Sequence, residues 1–189
     1  VPPCDTWNFP ARVATAPALT IGPASVGYRL TEQALVFGGD VLTVTDVAVA
    51  DVRVHFFSAH LGLRGRERRK QVAQLLSADI LRDTALAHPL VLVGDFNLLS
   101  NRSAVPRWLR RQLTDCADEA GHEAATFPSA FPLLRLDRAF VDSAFRVVGC
   151  EVVRSALARR ASDHLPLVVD LELTAQARRP PEPLQIEVA

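Results

Sequence analysis

The hydrophobic pattern changes period several times along this chain, and each change predicts an element. Residues 41–49 (VLTVTDVAV) are dense in β-branched side chains and read as a strand. Ala50-Asp51 turns the chain, and 52–59 (VRVHFFSA) reads as a second strand, which predicts a hairpin. From Arg66 to Ala87 the apolar residues Val72, Leu75, Leu76 and Ile80 fall three or four apart, among Arg68, Lys70, Asp79 and Arg82. That spacing predicts an amphipathic helix. Pro89 ends it, and 90–93 (LVLV) is a short, wholly apolar strand of the kind buried on both faces. A second helix is expected around 105–119, followed by three closely spaced strands at 133–141, 145–153 and 165–173.

The flanks behave differently. Pro2, Pro3, Pro10, Pro17 and Pro23 interrupt any period, so 1–40 reads as an irregular, divergent segment. The last stretch, 174–189, is rich in proline and charge and is expected to be a disordered tail. One domain is left at 41–173, of mixed α/β class, with sheet packed on sheet and helices outside. A chain of 189 residues is long enough for one such core and too short to presume two.

Composition narrows the field only a little. Lys and Arg together number 21, as do Asp and Glu, so the chain lacks the basic surplus usual in domains that grip duplex nucleic acid. A local basic patch is still open to it. Cys4, Cys116 and Cys150 have neither zinc-site spacing nor an even count, and buried free thiols are the expectation. No apolar run could span a bilayer and no leader is visible in residues 1–10, which favours a cytoplasmic compartment.

Four short motifs carry possible chemistry. His60 stands at the end of the second strand, where rigid elements present groups to solvent; alone it reads equally well as a satisfied, half-buried histidine. His55, His88 and His122 warrant only that plain reading. Asp95 and Asn97 follow the buried strand directly, after Gly94. A carboxylate with an amide two residues on can hold or deprotonate a water and orient it, although Asp and Asn also favour turns. Asp137 lies within a strand, where burial of a carboxylate demands a partner. Arg135 or Arg138 would be a structural partner; the ring nitrogen of a catalytic histidine would be a functional one. Asp163 and His164 immediately precede the last strand, a carboxylate able to meet a cation beside an imidazole able to move a proton.

The order of these motifs is more specific than any one of them. A strand-end His, then Gly-Asp-Phe-Asn, then Leu-Asp-Arg, then Ser-Asp-His before a strand resembles the endonuclease/exonuclease/phosphatase superfamily of metal-dependent phosphodiesterases. "HLGLRGRERRKQ" and "TFPSAFPLLRLDRAFV" look like its small bacterial branch, and the likeness covers roughly 41–173. The resemblance implies a DNase I-like sandwich of two mixed β-sheets flanked by helices, with the N-terminal part of the fold missing or degenerate. It implies hydrolysis of a phosphoester by water, with Asp95 and Asn97 on the water and His164, oriented by Asp137, on the charged phosphorus centre. His60 would contact the phosphate and Asp163 would bind Mg²⁺ or Mn²⁺.

The superfamily's upstream Asn and its metal-binding Glu have no counterpart here. Asn8 follows no apolar strand, and Glu32 lacks the preceding helix and strand. With Val1 first and no Met anywhere, the expectation is a chain truncated or wrongly started inside a larger protein, and weakly active or inactive as it stands. The substrate stays open between nucleic acid, a phospholipid head group and a small phosphoester. Arg64–Lys70 is the one dense basic run, and only Trp108 and Phe127 stand near expected site loops. A monomer is expected. A dinuclear metallophosphatase would need more histidines than these motifs offer. A catalytically inactive scaffold used for partner binding is the reading from another class.

Overall fold

In the hairpin's second strand, Phe57, Ala59 and Leu61 are buried on one side and Val54 and Phe56 on the other. Both faces of the strand are therefore covered, which places it in the middle of a sheet. A computed structural model describes residues 12–14, 31–37, 40–49, 52–77, 81, 89–101, 103–122 and 124–178. The elements run β1 (Arg12–Ala14), β2 (Thr31–Phe37), β3 (Asp40–Val49), β4 (Val52–His60), α1 (Gly65–Leu75), β5 (Leu90–Asp95) and α2 (Ala104–Leu109). Then come β6 (Thr114–Asp115), α3 (Cys116–Glu119), β7 (Asp137–Val141), β8 (Phe145–Val152), α4 (Ala156–Ala161), β9 (Leu167–Leu173) and a 3-10 turn at Ala175–Arg178.

Among the described residues, six strands form one sheet in the order β2-β3-β4-β5-β7-β6, and three form another in the order β1-β9-β8. β4 and β5 pair in parallel while the other neighbours in the larger sheet are antiparallel, so that sheet is mixed. The smaller sheet is antiparallel at both of its junctions. The mixed sheet with helices packed on it agrees with the α/β sandwich expected from the sequence; among the described residues the parallel pair is β4–β5, joined by a crossover through α1.

Two apolar layers hold this arrangement. Val54, Phe56, Val91, Val93, Ala139 and Val141 of the larger sheet pack with Cys150, Leu167 and Val169 of the smaller one. On the outer face, Phe57, Leu92 and Phe140 lie beneath Val72 and Leu75 of α1 and Val105 and Leu109 of α2. The free thiols Cys116 and Cys150 are both buried, while Cys4 lies outside the described residues.

The structure departs from the periodicity in several places: α1 ends at Leu75, well before Ala87, and β7 begins at Asp137 rather than at 133. β2 occupies 31–37 inside the segment read as irregular; Glu32 and Gln33 blur its pattern, and pairing to β3 across seven positions supplies what propensity does not. "VGYRL", Ala50-Asp51 and Ile80 lie outside the described residues. The helix expected at 105–119 is split into α2, β6 and α3, because Thr114 and Asp115 add to the edge of β7. Buried Asp115 accepts hydrogen bonds there from Arg110, Arg135 and Arg138, and a continuous helix would withdraw it from them. The tail begins with the 3-10 turn, whose Ala177 is buried; 179–189 lie outside the described residues.

A further departure is α4, six residues long and absent from the sequence reading. Its signal is a cap rather than a period: the Ser155 hydroxyl accepts from the Ala158 backbone N–H at 3.1 Å.

Candidate active site

Strand pairing alone aligns three of the candidate residues. His60 is registered against Asp95 in the parallel β4–β5 pair, and Asp95 against Asp137 in the antiparallel β5–β7 pair. Partners across a ladder share a face, so the three side chains form one row at the end of the larger sheet. The row continues the inter-sheet face, since Val93 and Ala139 two residues away belong to the inner core.

The turn after β5 is built around two unusual backbone positions. Gly94 has φ +141, a region essentially closed to side chains. A Cβ there would lie 1.9 Å from the Ala59 carbonyl oxygen. Asn97 has φ +49, the left-handed region that Asn tolerates best among non-glycine residues. Its backbone N–H donates to Asp95 Oδ1 at 2.8 Å, and its side-chain Nδ2 donates to the Leu61 carbonyl at 2.7 Å.

The turn-forming role of Asp-x-Asn and a chemical role are therefore not alternatives. The local hydrogen bonds lock Asp95 in place, while Asp95 Oδ2 lies 3.7 Å from His60 Nε2. His60 itself is 69% exposed in its side chain. One N–H of Asn97 Nδ2 is committed to the backbone of the β4–α1 connection, which orients the amide and leaves Oδ1 and the second N–H for water or a phosphoryl oxygen.

Asp137 is 3% exposed and its Oδ2 lies 2.8 Å from His164 Nδ1. An ionised carboxylate only accepts, so the contact puts the proton on Nδ1 and leaves Nε2 for substrate. Arg135 and Arg138, the structural partners open to Asp137 in the sequence, turn instead to Asp115. Burial disfavours the charged imidazolium of His164, but the Asp137 hydrogen bond and the charges of Asp137, Asp95 and Asp163 outweigh it and raise its pKa. Burial likewise pushes the Asp137 carboxyl up, against the hydrogen bonds from Thr126 and His164. Asp163 is exposed, and its own Oδ1 accepts from Ser162 at 3.4 Å.

A brace that sequence reasoning did not single out holds this half of the site. The Thr126 hydroxyl oxygen accepts from the Asp137 backbone N–H at 3.4 Å, and the Thr126 carbonyl accepts from Leu165 N–H at 2.8 Å. The Phe127 ring lies 4.9 Å from the His164 ring, and Ser129 N–H donates to the Asp163 carbonyl at 2.7 Å. Segment 126–129 thus touches Asp137, Asp163, His164 and Leu165 together. Its only trace in the sequence was the stretch "TFPSAFPLLRLDRAFV", where a Thr eleven residues before an Asp carries no periodic signal. The plain reading of His55 holds: it is buried with Nδ1 2.7 Å from Asp46 Oδ1. His122 is exposed on a turn, and His88 lies outside the described residues.

A family model described as the Endonuclease/Exonuclease/phosphatase family matches residues 4–164, a span that contains every residue of the site. The chain belongs to that family. YbhP of Escherichia coli (strain K12) is 34% identical to it over 121 residues, 64% of this chain and 47% of YbhP. The chain thus spans about half the length of the curated relatives it matches. Among solved structures, the catalytic domain of human Nocturnin with a bound sulfate anion is similar over 78% of this chain and 60% of that one, at a TM-score of 0.62 and 19% identity. A mannosyl-6-phosphatase from Bacteroides thetaiotaomicron VPI-5482 is similar over 71% and 57%, at 0.59 and 21%. At such identities the likeness establishes the DNase I-like fold and nothing finer.

The Endonuclease/Exonuclease/phosphatase family consists of phosphoric ester hydrolases that generally depend on a divalent metal. Among the described residues no group of three or more His, Cys, Asp or Glu side chains could hold a metal ion. The described donors therefore do not make up a metal centre by themselves. Among the described residues no helix is long and apolar enough to cross a membrane.

Proposed function

We propose that this site hydrolyses a phosphoester by direct attack of water on phosphorus: the new P–O bond forms as the ester P–O bond breaks, and the departing alkoxide leaves as the alcohol after taking a proton from solvent. The observation that supports the reading most is the coupling of the His60–Asp95–Asp137 row to His164 through a 2.8 Å carboxylate–imidazole contact. In this reading Asp95 positions the attacking water and takes up its proton, with Asn97 Oδ1 accepting a hydrogen bond from the same water. His164, held by Asp137, offers Nε2–H as its imidazolium to the charge that builds on the phosphoryl oxygens. Its raised pKa favours that protonated form. His60 contacts the phosphate from the opposite side of the row. The sulfate bound by the Nocturnin catalytic domain is a tetrahedral oxyanion of the same kind.

Asp163 is the residue assigned to Mg²⁺ or Mn²⁺, an exposed carboxylate able to share a hydrated cation with a phosphate oxygen. The expected outcome is hydrolysis of bis(p-nitrophenyl) phosphate that EDTA abolishes and Mg²⁺ or Mn²⁺ restores. Calorimetric titration with Mg²⁺ separates this from the inactive-scaffold reading. An active site binds the cation and Asp163→Ala weakens that binding about tenfold or more; a scaffold shows no heat that the substitution removes.

A further inference from the structure

Five large apolar side chains stand well out of the surface beside the site: Leu63, Leu99, Phe131, Leu133 and Leu157, each between 67% and 80% exposed. Single exposed leucines are ordinary, so their positions matter more than their number. Leu63 follows His60 by three residues and Leu99 follows Asn97 by two. Phe131 and Leu133 lie in the connection that enters β7 at Asp137, and Leu157 lies on α4 just ahead of Asp163 and His164. Every one is therefore in a connection at the end of the sandwich that carries the His60–Asp95–Asp137 row. A sixth exposed apolar residue, Val148, is in the middle of β8 and away from that end.

These connections are fixed rather than free-standing. Asn97 ties its loop to Leu61, and Arg68 donates to the Leu63 carbonyl at 2.6 Å. Ser129 N–H holds the Asp163 carbonyl, and Arg159 of α4 donates to the carbonyls of Ser129 and Ala130. The apolar side chains are thus presented on a braced rim.

The charge of the same segments points to one kind of occupant. Residues 61–70 and 154–160 contain eight Lys and Arg against one acidic residue, Glu67, whereas the whole chain has a net charge of zero. Segments 96–101 and 127–134 contain no charged residue at all. Leucines that enter an acyl layer, flanked by arginines that meet anionic headgroups, are the chemistry of an interfacial lipid contact. A nucleic-acid strand would call instead for aromatic platforms, and four of the five apolar residues are aliphatic.

We propose that this rim docks on an anionic phospholipid surface and delivers a lipid headgroup phosphoester to the site. The identity of the substrate rests on the hydrolase reading above; the docking does not.

The two parts are tested separately. The 189-residue chain is sedimented with vesicles of phosphatidylcholine alone and of phosphatidylcholine mixed with phosphatidylglycerol. The expected result is partition onto the mixed vesicles only, weakened by salt. Leu63→Ser, Phe131→Ser and Leu157→Ser each lower that partition about three- to tenfold, since each withdraws one apolar side chain from the interface. Val148→Ser leaves it unchanged, and thermal unfolding checks that each variant is folded. Absence of partition, or partition that the three substitutions leave unaltered, overturns the docking. So does self-association that the same substitutions relieve, because the face is then covered by a second copy. Single-stranded DNA binding that survives them, without vesicle partition, assigns the basic segments to nucleic acid and overturns it too. Docking with no turnover of bis(p-nitrophenyl) phosphate defeats the hydrolase reading alone. Turnover of that soluble ester with no release of headgroup product from docked vesicles defeats the lipid substrate.

Discussion

Asp137→Asn is expected to lower turnover of bis(p-nitrophenyl) phosphate about a hundred- to a thousandfold while leaving the unfolding temperature unchanged or raised. The rate follows from the tautomer. The carboxylate of Asp137 accepts from His164 Nδ1 and so fixes which ring nitrogen faces the substrate. An amide has both a donor and an acceptor end and imposes no such choice; losses of this size are typical when an orienting carboxylate is neutralised. The stability follows from burial. Asp137 is 3% exposed and burial raises its pKa above the usual carboxylate range. A carboxyl whose pKa folding raises contributes its stability at low pH and loses it as pH rises through the folded value. At neutral pH the ionised group is a cost, which Asn removes while keeping its backbone N–H bond to the Thr126 hydroxyl oxygen. Steady-state kinetics beside a thermal melt check both halves. A variant that melts early and loses activity in proportion would make Asp137 a structural residue instead.

How far the sequence foretold this site depended on whether a group's partner was local. β3, β4, β5, β8 and β9 were legible within a residue or two, because each carries closely spaced Val, Leu or Phe residues that are their own signal. β2 and α4 were not: one takes its strand from pairing with β3, the other from a single Ser155 cap. The order of His60, Asp95, Asn97, Asp137, Asp163 and His164 was legible because motif order survives where single motifs are ambiguous. The brace at Thr126, Phe127 and Ser129 was invisible, because hydroxyl, ring and backbone contacts to residues far along the chain leave no spacing behind. The residues alone left the partner of Asp137 open between a nearby arginine and a catalytic histidine, and only the family resemblance pointed to His164. Arg135 and Arg138 are nearer in sequence, but alternation along β7 carries Arg138 to the opposite face, where Asp115 meets it, while His164 arrives from 27 residues away.

Gly94→Ala is expected to destabilise the fold by about 3 kcal/mol or more, a drop of about 6–12 °C in unfolding temperature. Two independent costs combine at this position. The backbone sits at φ +141, where an L side chain is strained whatever space surrounds it. The space is also taken: the added Cβ would meet the Ala59 carbonyl oxygen at 1.9 Å and the Ala59 carbonyl carbon at 2.8 Å, both backbone atoms of the neighbouring strand. Nothing flexible is available to give way, so relief requires β5 to move from β4 at the one junction where Ala59 faces Gly94. His60 and Asp95 are the next residues on those strands, and their registered pairing separates with the junction. Activity therefore falls together with stability in Gly94→Ala, measured by melting and by turnover on one preparation, whereas Asp137→Asn loses activity alone. A Gly94→Ala protein that melts at the wild-type temperature would show that the close approach of the two strands does not hold in solution.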